Sequence, residues 1–302
     1  MAISNTHGVA AAALFALGAI APALAEAPLS YTNEIALGVY SFGGGNGYHS
    51  MFLVTDDGVA VFETVNTAHA SELLTAIKEV TDQPVKYAFH SHNHWDHSGG
   101  GKVFQDVGAE TVMHSDAAAW LAAHPGQETS PPDEIWDGNE KTYKLGGKTI
   151  ELHHLGLNHG LGMTVFVLPD SKTAYIADLV TPNRVMFTIA PDFNIREWER
   201  SLDEIMELNF DVAVCSHNEL PPAEVVKGCT KEHVQASGQY IEDLRAAIFK
   251  GFETEAGPEE VVANISLPQY AHWGHYDDWL QMNAWRVMLD LWMGPYPWYP
   301  QN

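Results

Sequence analysis

Apolar and polar residues alternate in short runs along the first third of the chain, as they do in strands buried on one face. The alternation predicts strands at Ile35–Phe42, Met51–Thr55 and Val59–Glu63, separated by turns that contain glycine and aspartate. From Ala68 to Thr81 the apolar residues recur at helical spacing and Pro84 follows, so we predict a helix that ends before this proline.

Strand and helix patterns continue toward the middle of the chain. Residues 85–89 alternate as a strand that runs into a segment dense in histidine. A glycine-rich turn and a helix are predicted at 99–106, followed by a strand at 110–114. His124–Asn139 contains three prolines and is predicted to be an irregular insertion.

The second half repeats the order of strands followed by helices. The predicted elements are strands at Thr149–His153, Met163–Leu168 and Thr173–Ala177, a helix at Arg196–Leu208, a strand at Asp211–Cys215, and long helices within Thr230–Phe252 and His275–Met293. Two runs of strands, each followed by helices, indicate an α/β sandwich of two packed sheets with helices outside. Because no solenoid repeat and no clear linker is found, we predict one domain over residues 26–302.

The N-terminus resembles a targeting segment. Val9–Ala21 is uncharged and too short to span a bilayer comfortably, and Ala23-Leu24-Ala25 follows as a small-residue cleavage pattern. We therefore predict a signal peptide at 1–25 and a periplasmic or secreted mature chain without stable membrane insertion. The segment before the apolar run lacks Lys and Arg, so an uncleaved N-terminal helix is the alternative.

Charge and cysteine content narrow the function classes. The chain has 39 Asp and Glu against 15 Lys and Arg and shows no basic cluster, which argues against a nucleic-acid partner. Cys215 and Cys229 are compatible either with a disulfide or with burial as small apolar residues.

The segment Phe89–Gly100, FHSHNHWDHSGG, carries the strongest chemical signal. It contains the pattern H-x-H-x-D-H at His92, His94, Asp96 and His97. If the preceding strand continues, His92 and His94 point the same way and can meet one metal ion. Asp96 and His97 follow after the chain turns, so they can address a second ion a few ångströms away.

Two ions need more ligands than this segment offers, and later strands supply candidates. His159 follows one predicted strand, Asp178 ends another, and His217 follows a third. Side chains just beyond strand ends are commonly displayed for catalysis.

These seven residues in this order resemble the metallo-β-lactamase-fold hydrolase superfamily, over about Ile35 to His217. The resemblance implies a four-layer αβ/βα sandwich, here with a helical C-terminal extension. It also implies that one ion is bound by His92, His94 and His159, that the other is bound by Asp96, His97 and His217, and that Asp178 bridges them. Two departures are Ser216-His217-Asn218, where relatives commonly have Gly-His-Gly, and Gly160, where Thr or Ser is common.

The ligand set predicts a dinuclear hydrolase of a small-molecule substrate. Nitrogen and oxygen ligands without thiolate suit two divalent ions, and zinc is the ion we expect. A metal-bridging hydroxide, oriented by Asp96, is expected to cleave an ester, lactone or thioester bond. The resemblance associates a bridging aspartate with thioesterases, lactonases and organophosphate hydrolases. The alternatives are a β-lactamase and, behind it, a phosphotriester hydrolase, a flavodiiron-type redox protein or a non-catalytic metal-binding protein.

Three further residues are predicted to contact substrate: Trp95, Arg184 and Phe187. Simple packing is the alternative for each. His90 is predicted to support the ligands or to be buried, and His114, His153 and His154 to be structural or to line the pocket. The helical final third is expected to contribute to the pocket or to a homo-oligomer contact.

Overall fold

The structure is a computed structural model that describes residues 30–297. The predicted signal peptide, residues 1–25, lies outside the described residues. Within the described range, none of the helices combines the length and the apolar character needed to cross a bilayer.

The first sheet is formed by the N-terminal strands, which lie side by side in chain order. Its members are β1 (Tyr31–Ala36), β2 (Val39–Gly43), β3 (His49–Thr55), β4 (Gly58–Phe62), β5 (Val85–Phe89), β6 (Glu110–His114) and β7 (Glu134–Trp136). Strands β1 to β4 pair antiparallel, and β4 to β7 pair parallel.

The second sheet also follows chain order. Its members are β8 (Glu140–Leu145), β9 (Lys148–His154), β10 (Thr164–Leu168), β11 (Thr173–Ile176) and β12 (Val212–Cys215). Only the pair β11–β12 is parallel, so these two strands end at the same edge. That edge carries Asp178 and His217, a few residues beyond the strands.

The helices connect the strands and form the C-terminal third. They are α1 (Thr67–Val80), α2 (Trp95–Ser98), α3 (Gly101–Gln105), α4 (Ser115–Ala123), α5 (Ile195–Glu207), α6 (Pro222–Val225), α7 (Lys231–Phe252), α8 (Pro258–Ala263) and α9 (Tyr276–Met293), with a 3₁₀ turn at Pro268–Tyr270.

Strand β4 shows how the layers arise from sequence. Ala60 and Phe62 belong to the core between the sheets, whereas Val59 and Val61 belong to the core beneath α1. Because side chains alternate along a strand, a continuous apolar run buries both faces. Phe62 lies 5.3 Å, between ring centroids, from Phe166 of the other sheet. Its truncation to alanine would cost about 3–5 kcal/mol. The predicted αβ/βα sandwich with C-terminal helices is confirmed.

Several predicted elements were wrong in detail. Ile35–Phe42 is not one strand, because the chain reverses at Leu37-Gly38 and Gly38 takes a φ of 75° that favours glycine. The insertion at His124–Asn139 contains strand β7. Strand β8 was not predicted, because its sequence, EKTYKL, is mostly polar. Helix α4 was not predicted either.

The C-terminal extension packs on the outside of the second sheet. Helix α7 packs against α5, and α9 packs against α7. The Tyr240 hydroxyl of α7 donates a hydrogen bond of 2.7 Å to Asn283 Oδ1 of α9, and both residues are buried. This bond joins the two long helices at a polar point within an apolar interface. Cys215 and Cys229 are buried and free, so the disulfide alternative is not realised.

Candidate metal centre

The histidine-rich segment lies at the end of β5, on a loop that leads into the short helix α2. Strand β5 ends at Phe89, so strand alternation does not align His92 and His94 as predicted. Their rings nevertheless lie 4.6 Å apart between centroids, nearly perpendicular. The backbone N–H of Asn93 donates to Leu161 O at 3.1 Å, and the loop that carries His159 is thereby tied to this segment.

The first group of potential ligands consists of His92, His94, His159 and Asp178. One ligand atom from each lies within 4.8 Å of the others. Asp178 Oδ2 lies 2.9 Å from His159 Nε2. His92 Nε2 is buried and has no hydrogen-bond partner among the described residues. A buried nitrogen without a partner is costly unless a ligand satisfies it.

The second group consists of Asp96, His97 and His217, and it adjoins the first through Asp178. The ligand atoms of the group again lie within 4.8 Å of one another. His97 Nε2 lies 3.1 Å from Asp178 Oδ2, and His217 Nε2 lies 3.5 Å from Asp178 Oδ1. The carboxylate of Asp178 therefore lies next to histidines of both groups, a position compatible with the bridging role that the resemblance implies.

Neighbouring hydrogen bonds set the tautomer of His92. Ser91 Oγ donates its proton to Glu63 Oε2 and lies 2.8 Å from His92 Nδ1. Because the serine proton is used on Glu63, Ser91 Oγ accepts from His92 Nδ1–H. His92 Nε2 then carries the free lone pair that faces the site.

Asp192 has the same effect on His94. Its Oδ2 lies 2.8 Å from His94 Nε2, so this nitrogen carries the proton and Nδ1 keeps the lone pair. Burial would raise the pKa of the Asp192 carboxyl, but the hydrogen bond from His94 holds it below its usual range. Asp192 thus stays ionised and able to accept the bond.

Burial and neighbouring charges set the protonation states of the candidate ligands. Burial alone would raise the pKa of Asp178, but His97, His217 and His159 hold it well below its usual range. Burial lowers the pKa of His92 well below its ordinary value and that of His217 to about 3. Burial also disfavours a charged His97, yet the carboxylates of Asp178 and Glu63 raise its pKa well above the ordinary value. Asp178 is therefore ionised and His92 and His217 are neutral, as metal binding requires, whereas His97 is held protonated by the two carboxylates and would have to lose that proton to bind an ion.

Four residues at the site were missed by the sequence analysis: Glu63, Tyr48, Asp192 and Phe193. Glu63 is fully buried, with Oε2 3.4 Å from His97 Nδ1. Tyr48 donates a hydrogen bond of 2.7 Å to Asp96 Oδ2. The Phe193 ring lies 3.9 Å from the His159 ring. None belongs to a local motif, and only for Glu63 did the sequence give a signal, since it ends the predicted strand Val59–Glu63.

The ligand groups open into a cavity of about 510 Å³. Arg184 and Phe187 line it, as predicted, together with Tyr48 and Glu219. Trp95 is not among the lining residues. Its ring lies against Gly126 and donates from Nε1 to the His124 carbonyl at 3.1 Å.

The four other histidines considered in the sequence lie outside these two groups. His90 is buried, with Nδ1 3.3 Å from Thr64 Oγ1. His114 and His154 stack on each other, with ring centroids 3.6 Å apart and an interplanar angle of 17°. His153 lies near Glu140 and Glu151 and lines a separate surface cavity together with His154.

Gly160 is packed too closely for a side chain. A Cβ at this position would lie 2.9 Å from Asn93 Oδ1 and 3.0 Å from His92 Cδ2. Asn93 Oδ1 in turn accepts a 2.7 Å hydrogen bond from the Leu161 N–H. The departure from Thr or Ser at this position therefore follows from how Asn93 ties the two ligand loops together.

The two groups suit metal ions. Their donors are only imidazole nitrogens and carboxylate oxygens, which bind zinc and related divalent ions. An αβ/βα sandwich with such a group of residues at one edge is typical of metal-dependent hydrolases. The sequence model of the metallo-beta-lactamase superfamily matches residues 43–217. The chain belongs to this superfamily, whose members are typically hydrolytic metalloenzymes that bind divalent metals, usually zinc.

Two relatives in sequence illustrate the range of the superfamily. The chain is 27% identical over 135 residues to the 2,4-dinitroanisole O-demethylase subunit alpha of Nocardioides sp. (strain JS1661), covering 45% of this chain and 41% of that protein. It is 26% identical over 166 residues to metallo-beta-lactamase IND-1 of Chryseobacterium indologenes, covering 54% and 68%. The match thus spans less than half the length of the demethylase subunit.

Two solved structures share the fold. A metallo-beta-lactamase from Pontibacter korlensis superposes with a TM-score of 0.61 at 21% identity, covering 70% of this chain and 99% of that one. The sec-alkylsulfatase Pisa1 from Pseudomonas sp. gives 0.64 at 14% identity, covering 90% and 52%. A match over 90% of this chain must extend beyond residue 217. The C-terminal helices therefore have a counterpart in the sulfatase fold.

Proposed function

We propose that the protein is a dinuclear metallohydrolase that cleaves an ester, lactone or thioester bond in a small molecule, with two zinc ions as the expected cofactors. The observation that carries the proposal is the position of Asp178. One of its oxygens lies 2.9 Å from His159 Nε2 and 3.1 Å from His97 Nε2, and the other lies 3.5 Å from His217 Nε2. A carboxylate shared in this way suits a pair of ions.

Each group of ligands would hold one ion. His92, His94 and His159 would hold the first, Asp96, His97 and His217 the second, and Asp178 both. When bound, the ions would supply Lewis acidity and lower the pKa of a coordinated water to about 7.

Asp96 is the residue we assign to orienting the reacting water. Its carboxylate is held by the Tyr48 hydroxyl at 2.7 Å and lines the cavity. Burial would raise the pKa of Asp96, but His97 and Tyr48 lower it, so the group is ionised and accepts hydrogen bonds. Burial and the Asp96 charge raise the pKa of Tyr48, so its hydroxyl keeps the proton that fixes the carboxylate.

Arg184 and Phe187 are the residues we assign to substrate. Arg184 Nε is buried without a hydrogen-bond acceptor among the described residues. Burial lowers the pKa of this guanidinium, which nevertheless remains charged near neutrality. Because Arg184 lines the cavity, its guanidinium is suited to bind an oxygen of the substrate. Phe187, 47% exposed beside it, offers an apolar wall for an acyl chain or a ring.

The chemistry of the bridge supports an ester-type substrate over a β-lactam. The resemblance links a bridging aspartate to thioesterases and lactonases, whereas a subclass of β-lactamases has cysteine there. Cys215 does not supply a thiolate, because it is buried and burial raises the pKa of its thiol well above the ordinary value.

Metal analysis and a substrate screen test the proposal. We expect about two ions per chain after purification with zinc. The screen includes p-nitrophenyl esters, acyl-homoserine lactones and thioesters as expected substrates. A chromogenic β-lactam, a phosphotriester, a secondary alkyl sulfate and a nitroaryl methyl ether represent the alternatives. Turnover confined to one of the latter would overturn the ester assignment, and a protein that binds no transition metal would overturn the whole proposal.

We further propose that the mature protein acts in the periplasm or outside the cell. The apolar segment Val9–Ala21 and the Ala23-Leu24-Ala25 pattern support this. N-terminal sequencing of the protein recovered from cell fractions should begin at Glu26. Recovery of the intact N-terminus from the cytoplasm would contradict it.

A further inference from the structure

We propose that helix α9 of the C-terminal extension is a positioning element for the metal site. Two of its side chains, Asn283 and Arg286, hold the segment of residues 183–194, here called the cavity segment. This segment carries Arg184, Phe187, Asp192 and Phe193. The inference builds on the proposed function, because the held segment is the wall of the proposed active site.

Asn283 hydrogen-bonds to backbone carbonyls in the middle of the cavity segment. Its Nδ2 donates to the Thr188 carbonyl at 2.6 Å and to the Met186 carbonyl at 3.0 Å. Its Oδ1 accepts from Tyr240, so the amide orientation is fixed from helix α7. The residue is fully buried, and an asparagine that uses both ends of its amide here cannot be replaced by an apolar residue without leaving carbonyls unpaired.

Arg286 grips the end of the same segment, one helical turn further along α9. Its Nε donates to the Ala190 carbonyl at 3.0 Å, and its Nη2 donates to the Phe193 carbonyl. Asp290, also largely buried, lies one turn beyond and compensates the charge. A guanidinium with 1% exposure that binds backbone carbonyls is a structural clamp rather than a surface charge.

The cavity segment needs such support because its backbone is strained. Asn183, Thr188 and Ala190 have φ angles of 56°, 43° and 45°, in the left-handed region. A β-branched threonine rarely adopts this region, and such conformations persist only where the surroundings impose them. The carbonyls of Thr188 and Ala190 are two of those that α9 holds.

The held segment reaches the ligands directly. Asp192, between the two carbonyls bound by Arg286, accepts the hydrogen bond that fixes the tautomer of His94. Phe193 packs at 3.9 Å on the ring of His159. Two of the three histidines of the first group are therefore positioned through the segment that α9 holds. Asn283 and Arg286 are positioning residues that act without touching the ligands themselves.

The position of α9 in the chain makes this role independent of the shared core. The superfamily match ends at residue 217, whereas α9 spans Tyr276–Met293. The extension thus supplies contacts to the active-site wall that residues 43–217 do not contain.

Hydrogen exchange measured by mass spectrometry on the full-length, zinc-loaded protein tests the inference. Asn283→Leu and Arg286→Met remove the donors and keep much of the side-chain volume. We expect exchange in peptides covering 183–194 to rise about tenfold or more, with peptides of β10 and β11 unchanged. Gln281→Leu, an exposed change on the same helix, is the control and should leave the segment protected.

Zinc dissociation gives a second readout that a merely structural contact would not move. Because the support of His94 is loosened, we expect zinc release to a chelator to accelerate about tenfold in both variants, with initial metal content kept. On any substrate found, kcat of both variants should fall by a larger factor than KM rises. Arg286→Lys should retain part of the kcat that Arg286→Met loses. Tyr240→Phe removes only the hydrogen bond that fixes the Asn283 amide, so it should give smaller increases in exchange and in zinc release. This variant tests the inference if Asn283→Leu and Arg286→Met fold poorly.

The outcomes separate this inference from the proposed function. Unchanged exchange in residues 183–194, or an equal increase across the sheets, would overturn the positioning role whatever the activity. If no substrate is turned over but exchange and zinc release change as expected, the role of α9 stands and only the hydrolase assignment fails.

Discussion

Two groups of buried or half-buried histidines in the described part of the chain differ in how well their geometry suits a metal ion. In the metal centre, imidazole nitrogens from three loops face the carboxylate of Asp178 at 2.9 to 3.5 Å. In the second group, His114 and His154 stack face to face at 3.6 Å, with Asp116 beside them. Both groups satisfy a simple distance criterion for three or more ligand atoms.

The difference lies in the direction of the lone pairs. A metal ion binds in the plane of an imidazole ring, and two rings stacked at 17° direct their nitrogens side by side and not toward a common point. The nitrogens of His114 are also engaged, since Nδ1 accepts from the Asp116 N–H and Nε2 lies 3.2 Å from the Gly138 carbonyl. In the metal centre, by contrast, the hydrogen bonds to Ser91 and Asp192 fall on the nitrogens that face away from the site. Hydrogen-bond partners, more than the number of histidines, distinguish a ligand from a packing residue.

Removal of the Asp178 carboxylate should produce the largest effect on metal binding and activity, and it tests whether the two ligand groups form one site. Asp178→Ala deletes the carboxylate shared by both groups, so its negative charge no longer offsets the repulsion between two bound cations. We expect a loss of at least one ion and a fall in kcat/KM of about 10³-fold or more. Metal analysis and steady-state kinetics measure both.

Asp211→Ala, at an exposed aspartate before β12, is the matched control and should leave both quantities unchanged. A variant at Asp178 that kept two ions and full activity would show that the two groups are not one site.

An intermediate effect is expected from the residue that sets the tautomer of His94. Asp192→Ala removes the acceptor at 2.8 Å, so His94 is free to rotate and to carry its proton on either nitrogen. The affinity for the metal should fall by about 10- to 100-fold. Competition with a chromogenic chelator measures it. Unaltered affinity would mean that the ligand loop alone orients His94.

The smallest effect is expected at the stacked pair and concerns stability. Burial, followed by the charge of His114, lowers the pKa of His154 from 6.5 to about 4. The unfolded chain therefore takes up this proton first, so stability is lost as the pH falls from about 6.5 toward 4. His154→Gln should reduce that acid destabilisation by about 1 kcal/mol, after allowance for partial exposure of the ring.

Urea unfolding at about pH 7 and about pH 5 measures the change in the free energy of unfolding. Metal content should equal that of the unmodified protein. Loss of an ion in the His154 variant would contradict this assignment and show that the stacked pair binds metal.

The sequence was informative where chemistry is local and uninformative where it depends on tertiary contacts. The ligands His92, His94, Asp96 and His97 lie within six residues of one another, and the other three follow strand ends, so their pattern is readable; their roles as ligands stay predictions. Asp192 lies 98 residues from the histidine it orients, in a segment without regular structure. No periodicity marks such a residue, because its role exists only once helix α9 has fixed the segment.

Secondary structure followed the same rule. Strands with apolar residues on both faces, such as β4 and β10, were found, because burial on both sides leaves a continuous apolar run. The hairpin at Leu37-Gly38 was read as a single strand. Leu37 lies at the turn and is 86% exposed. Because it is apolar, it continued the pattern of apolar residues that predicts a strand.

The close packing at Gly160 affects how this site can change over evolutionary time. A serine or threonine at 160 would bring its Cβ to 2.9 Å from Asn93 Oδ1, so the Asn93 side chain would have to shift to admit it. Replacing Asn93 by a smaller residue first would open that space, at the expense of its bond to Leu161. The effect of a hydroxyl side chain at position 160 should therefore depend on the residue at position 93 and on the His92 ring, which lies 3.0 Å from the added Cβ.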